Sequence, residues 1–177
     1  MKGLAKSWGP YAWYLFHIIS LTWEKKHIIY YNNFFKIISK TIPCYICSKN
    51  FQKKIKHKDY GINKNCASKI LMIKWLVNMH NSVNKSNNKR IYTVNDLLKI
   101  HVKNKSMTIK RNMIIKFIKE YIYYNIQMGK SKNAIKLLHL LAIIYPDPRK
   151  RPRIIKYIKT NKNKNILQYL NGYIKLL

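Results

Sequence analysis

Apolar residues recur along most of this chain at three- and four-residue spacing, with no sustained spacing of two, so the pattern predicts helices and no sheet. The stretch WGPYAWYLFHIISLTWEKKH sets Trp13, Phe16, His17, Ser20 and Leu21 at helical intervals, a helix over 8–23 with a broad aromatic face. Gly9-Pro10 reads as its start, since proline suits a first turn where its missing N–H is no loss. A second helix over 30–40 turns Phe34, Ile37 and Ile38 to one side. It stops at Thr41-Ile42-Pro43, because a residue before proline leaves the helical region. A third helix opens at about Cys44 and runs toward Ile55, and 57–65 is loop by composition. A longer helix from about Cys66 to Asn84 aligns Ile70, Ile73, Val77, His80 and Asn84. After a polar, basic loop over 85–92, Thr93 and Asp96 have the spacing of a capping box and lead into a short helix ending near His101.

Beyond residue 103 the pattern stays helical but carries no chemical motif. Helices are predicted over 107–124 and 133–145, the latter stopped by Pro146-Asp147-Pro148. Arg149-Lys150-Arg151-Pro152-Arg153 reads as a basic hinge, and 154–177 as one or two helices broken around 161–165. The expected fold is all-α: a four-helix bundle with a short fifth helix over 1–104, and a basic accessory helical region over 105–177. The apolar faces of that second region have three candidate partners: the bundle, a second copy of the chain, or another protein.

A chain of 177 residues holds one domain with a proper core, or a small domain with an appendage. Lys, Asn or His interrupts every apolar run before it reaches the length of a membrane span, and the N-terminus lacks the apolar core of a secretory signal. The expected setting is therefore a cytosolic or equivalent reducing space. The charge is extreme, 36 Lys+Arg against 5 Asp+Glu, a formal +31. Such a balance favours anionic partners, nucleic acid among them, although abundant Lys, Asn, Ile and Tyr also reflect coding bias.

Three cysteines, Cys44, Cys47 and Cys66, exclude a disulfide scaffold. Cys44-x-x-Cys47 at a helix start lets two sulfurs meet, and the unpaired N–H groups there favour a thiolate. On the residues alone the pair reads as redox-active, as half of a zinc site, or as inert thiols. Zinc needs two further ligands, with Cys66, His57 and His80 available but at no typical spacing. His17 and His80 on apolar faces would ordinarily be satisfied core histidines. Asn81 and Asn84 inside a helix need partners for their amides, and a polar ligand in the core would supply them.

Taken together, Trp8-Gly9-Pro10-x-x-Trp13-x-x-x-His17, then Pro43-Cys44-x-x-Cys47, then Trp75-x-x-x-x-His80-Asn81-x-Val83-Asn84 followed by Lys89, resemble the Erv/ALR family of FAD-dependent sulfhydryl oxidases, especially its compact members encoded by large DNA viruses. The resemblance covers about residues 5–100. It implies FAD in the mouth of the bundle and no metal, with Cys44 as the outer cysteine attacked by a substrate thiolate and Cys47 as its flavin-proximal partner. It implies that Trp8, Gly9, Trp13, His17 and Trp75 line the cofactor, that His80, Asn81, Val83 and Asn84 wrap the adenine and ribose, that Lys85 and Lys89 meet the diphosphate, and that Tyr92 stands beside the adenine. Dioxygen would be the electron acceptor and hydrogen peroxide the product. Protein thiols would be the substrates, reached directly or through a small dithiol relay protein, since no second shuttle pair is present. A homodimer is implied, as is disulfide formation in virion proteins within the host cytoplasm or the virion. A rival of another class is a non-enzymatic, basic, nucleic-acid-binding helical protein with Cys44-x-x-Cys47 as relic or zinc ligand. A hybrid would add polyanion binding through 105–177.

Overall fold

Every regular element of the computed structural model is helical among the residues it describes, 4–58, 61–103, 106–161 and 164–177. In chain order these are α1 (Leu4–Leu21), a 3-10 turn (Lys25–His27), α2 (Ile28–Thr41), α3 (Tyr45–Lys56), the single turn α4 (Ile62–Asn65), α5 (Lys69–Ser86) and α6 (Val94–Lys103). Then follow α7 (Met107–Phe117), a π-helical turn (Ile118–Ile122), α8 (Tyr123–Gln127), α9 (Ser131–Ile143), α10 (Arg151–Thr160) and α11 (Ile166–Leu176). None is long and apolar enough to cross a membrane.

Most boundaries sit where local chemistry puts them. Ser68 caps α5 by accepting from the N–H of Leu71. The capping box before α6 forms reciprocally: Asp96 N–H donates to Thr93 Oγ1 at 3.1 Å, and Thr93 N–H to Asp96 Oδ2 at 2.8 Å. Two expectations are corrected. Pro10 does not start α1; the helix is already running from Leu4, and the proline sits inside it. Residues 57–65 are not loop throughout, since Ile62–Asn65 makes the helical turn α4. Residues 107–124 are helical as expected, with a π turn inserted from Ile118. The turn falls where Phe117, Ile118, Tyr121 and Ile122 are all buried.

α1 packs on α5, and α2 on α3. The two pairs close on each other through aromatic rings: Phe16 meets Phe35 at 5.2 Å, Phe35 meets Trp75 at 5.2 Å, and Trp75 reaches Phe51 of α3 at 6.5 Å, all edge-on. Of the three candidate partners for the C-terminal helices, the bundle is the one that covers them. α7 packs on α1 and α9 on α2, with α8 and α10 on α9 and α11 on α10. One hydrophobic cluster runs from Ala12 to Leu177. Tyr121 is fully buried; its hydroxyl lies 2.9 Å from Thr41 Oγ1, and its ring meets Trp8 edge-on at 5.3 Å. Gly172 of α11 has no side chain because Tyr157 of α10 occupies that space: a Cβ there would stand 1.9 Å from the phenol oxygen.

The supposed basic hinge is likewise structural. Asp147 accepts from the Arg149 side chain and main chain. Arg151, at the start of α10, is buried; it donates from Nε to the Tyr145 carbonyl at 2.7 Å and pairs through Nη1 with Glu24, ahead of α2. A chain ending at residue 104 would uncover the faces of α1 and α2 that α7 and α9 protect. We expect it to self-associate or precipitate in light scattering, where the full chain does not. A monodisperse, cooperatively melting 1–104 would show that the bundle stands alone.

Candidate functional site

Pro43 fixes the local geometry. It ends α2 at Thr41, leaves Ile42 extended, and delivers Cys44 as the N-cap of α3. Cys44 Sγ accepts the N–H of Cys47 at 3.3 Å, the position an N-capping oxygen takes in other helices. Cys44 and Cys47 form a disulfide across a Cα separation of 5.1 Å. Once reduced, a Cys44 thiolate would keep that N–H and the positive end of the α3 dipole. The first turns of α3 are tied to α2 through one carbonyl: Ser39 O accepts from Ser48 Oγ at 2.6 Å and from Gln52 Nε2 at 3.1 Å. The two residues between the cysteines project into solvent, Tyr45 at 73% and Ile46 at 67% of full exposure. Exposure ranks the pair differently from the roles implied by the resemblance: Cys47 is exposed, while Cys44 is half-buried against the core.

A second constellation joins α1, α5 and α6. Trp13 stacks on His80 with ring centroids 4.3 Å apart and planes 6° from parallel. His17 Nε2 lies 3.1 Å from His80 Nδ1, and the His101 ring is 5.9 Å from that of His17. Burial pushes all three imidazoles toward neutrality. His17 falls to about 3, helped by His80 and His101; His80 and His101 each fall to about 4, with Lys89 and Lys110 contributing. One imidazole of the His17–His80 contact therefore donates and the other accepts.

Asn81 and Asn84 have partners of their own. Asn81 donates to the Tyr92 carbonyl at 2.7 Å and accepts the Tyr92 N–H at 3.0 Å, and Asn84 donates to the Arg90 carbonyl at 2.9 Å. These amides fold the loop after α5 back onto that helix, with Asn88 at φ +52 in its turn. The chain needs no ligand to satisfy them. The clamp sets the Tyr92 ring 6.0 Å from that of His80, and it places Lys85 and Lys89 at an exposed rim with Arg90 over the Tyr92 ring at 5.3 Å.

Trp13, His17, His80, Asn81, Asn84 and Tyr92 thus come together. Trp8 instead packs on Tyr121, Trp75 is in the aromatic core with Phe35 and Phe51, and Val83 points largely outward. Gly9 is buried, yet a Cβ there would meet nothing within 4 Å. The sequence pattern missed Tyr14 and His101, whose rings lie 5.1 Å apart. His101 shares the apolar stripe of Leu97, which was the available signal. Tyr14 Oη and His101 Nδ1 are buried with no hydrogen-bond partner, as is Trp8 Nε1. Cys66 is fully buried, and burial pushes its thiol up to about 12. Among the described residues no three His, Cys, Asp or Glu side chains group as a metal site.

These residue types fit a flavin dinucleotide. Parallel aromatic faces suit its rings, unpartnered buried polar atoms suit its heteroatoms, and rim lysines suit its diphosphate. Trp13 and His80 stack directly, so a planar ring entering between them must part them to about twice a ring-stacking distance.

Neutral buried histidines tie stability to pH. Their folded pKa values lie below the ordinary 6.5, so the unfolded chain binds more protons between about pH 6.5 and 4. The stability they support is complete above pH 6.5 and is lost as pH falls through that window. Urea midpoints should drop steadily from pH 6.5 to 4, as the unfolding free energy falls by up to about 1.4 kcal/mol per pH unit for each histidine. The slope should be shallower in His101→Gln; equal slopes would refute the assignment.

A family model described as Erv1 / Alr family matches residues 10–105. No curated protein and no solved structure matches the chain. The matched span contains the disulfide at the α3 N-terminus, the Trp13–His80 stack and the loop clamp, and it covers more than half of the sequence. The chain belongs to the Erv1/Alr family.

Proposed function

We propose that this protein is a thiol oxidase that makes disulfides in protein substrates. The observation that carries the reading is the Cys44–Cys47 disulfide at the capped, solvent-facing start of α3, inside the span matched to a family of FAD-linked sulfhydryl oxidases. A substrate thiolate attacks one sulfur of the pair and forms a mixed disulfide, while the other sulfur leaves as a thiolate. A second substrate thiol then resolves the mixed disulfide. The substrate is oxidised to a disulfide, and Cys44 and Cys47 are left as a dithiol carrying its electron pair.

FAD, when bound, would supply the acceptor chemistry that returns Cys44 and Cys47 to their disulfide, with dioxygen as the final oxidant and hydrogen peroxide as the product. Trp13, His17 and His80 would hold its rings, and Lys85 and Lys89 its diphosphate. Asn81 and Asn84 act by fixing the loop that presents those lysines and Tyr92. The N–H of Cys47 and the α3 dipole stabilise a thiolate at Cys44 in either direction of transfer.

The resemblance assigns the attack to Cys44, whereas greater exposure of Cys47 favours attack there. In the second case Cys44, capping the helix, is the better leaving thiolate. A homodimer must use faces other than those of α1 and α2 that α7 and α9 cover. We place the reaction in the host cytoplasm or virion, acting on virion proteins, from the composition and the lack of a further shuttle pair. The rival nucleic-acid-binding reading is left with charge as its support.

The purified protein should carry the flavin band near roughly 450 nm that the cofactor brings with it. It should consume oxygen with dithiothreitol, and Cys44→Ser and Cys47→Ser should each lose this by a factor on the order of 100 or more. Each single serine variant retains one thiol, and the one that accumulates a mixed disulfide with an activated substrate identifies the attacked sulfur. A folded protein that is colourless and takes up no added FAD would overturn the reading.

A further inference from the structure

The outer groove between α2 and α3 is a cleft of about 540 Å³. Lys36 and Lys40 of α2, Lys56 and Lys58 at the end of α3, and Lys64 of α4 line it, with Ile55 beneath. No carboxylate lines it among the described residues, and Asp59 lies outside them. Three of the chain's few acids are engaged elsewhere: Glu24 with Arg151 and Lys26, Asp96 with Arg90, and Asp147 with Arg149. Among the described residues the groove is therefore a concave surface of five lysines without a carboxylate.

It also begins beside the disulfide. Ser39, in its wall, is bonded to Ser48, the residue after Cys47. At about 1.5 Å of rise per helical residue, Gln52 and Lys56 stand roughly 7 and 14 Å along α3 from Cys47. At about 100° per residue they also lie roughly 140° and 180° around α3 from Cys47, so an extended peptide that wraps the helix reaches them with about five to seven residues. Exposed Tyr45, with Lys49 over its ring at 5.5 Å, lies seven residues before Gln52 and so on the same side of α3.

We propose that this groove docks an acidic segment of the protein substrate, its carboxylates lying about five to seven residues from the cysteine that reacts with the disulfide. The proposal rests on the oxidase reading and adds the substrate's chemistry to it. The described lining offers five lysines, no arginine fork and the single imidazole of His57, so it recognises point charges on an extended chain better than a run of stacked bases. Such steering raises association and lowers KM, and salt removes it.

The test uses the full-length protein and two dithiol peptides, identical except for Asp and Glu against Asn and Gln at those positions. At low salt the acidic peptide should show a KM lower by about tenfold at similar kcat, and about 0.5 M salt should erase the difference. In Lys36→Gln/Lys40→Gln/Lys56→Gln the two peptides should become equal while dithiothreitol oxidation is unchanged. Equal KM values in the native protein, or a preference that survives the triple substitution, would overturn docking. Fluorescence anisotropy of the acidic peptide with both cysteines replaced by serine separates the two claims. Groove-dependent binding without dithiothreitol oxidation would remove the oxidase reading and keep the anionic docking site. Dithiothreitol oxidation without such binding would remove docking alone. A single-stranded oligonucleotide that binds more tightly than the peptide, and is released by the same three substitutions, would assign the groove to nucleic acid and overturn the peptide proposal.

Discussion

The turn from Thr41 to Cys44 sets where everything else in the site can be. Pro43 lacks the N–H that would extend α2 and disfavours helical backbone at Ile42 before it, and here, unlike at Pro10, the chain breaks and restarts. The restart makes a cysteine the N-cap of α3, where a sulfur takes the N–H that an oxygen normally would. Its partner one turn on is then within bonding reach without further adjustment. Two side chains from α3 hold the Ser39 carbonyl near the end of α2, so the redox pair rests on a braced corner where a mobile loop would blur its position.

Around that corner the molecule divides its polar residues between binding and bracing, and the division differs from what residue type suggests. Asn81 and Asn84 look like ligand-binding amides but hold main chain. Arg151 looks like part of a solvated basic run but is buried, joined to Glu24 more than a hundred residues earlier. In a chain with so few acids, Glu24, Asp96 and Asp147 each sit on an ion pair that positions an element boundary. The excess lysines are left outside, with the surface charge they bring.

Local features were legible. Cys44-x-x-Cys47, the stop at Pro43, the Thr93–Asp96 box and the break around 161–165 each depend on neighbours within a few residues, and each forms as expected. What spacing cannot show is a partner far along the chain. Trp8 meets Tyr121, Thr41 meets Tyr121, and the C-terminal helices lie on α1 and α2 because those faces are apolar in three dimensions, with no motif to announce it. Pro10 misled for a related reason: a proline is an admissible first residue, but tertiary packing can carry a helix through it. The helix faces carrying Trp13 and His17 on α1 and His80 on α5 were visible, while their stacking and the entry of His101 required the fold.

Cys66 gives the architecture a consequence for its own survival. An oxidant that reaches a reactive spare thiol drives it up the oxidation ladder toward irreversible acids. Cys66 is sealed in the core beneath Trp23, whose indole N–H holds its carbonyl at 3.1 Å, and burial keeps its sulfur protonated. The chain thereby keeps its accessible sulfur in the Cys44–Cys47 pair and leaves no exposed spare thiol for an oxidant to consume.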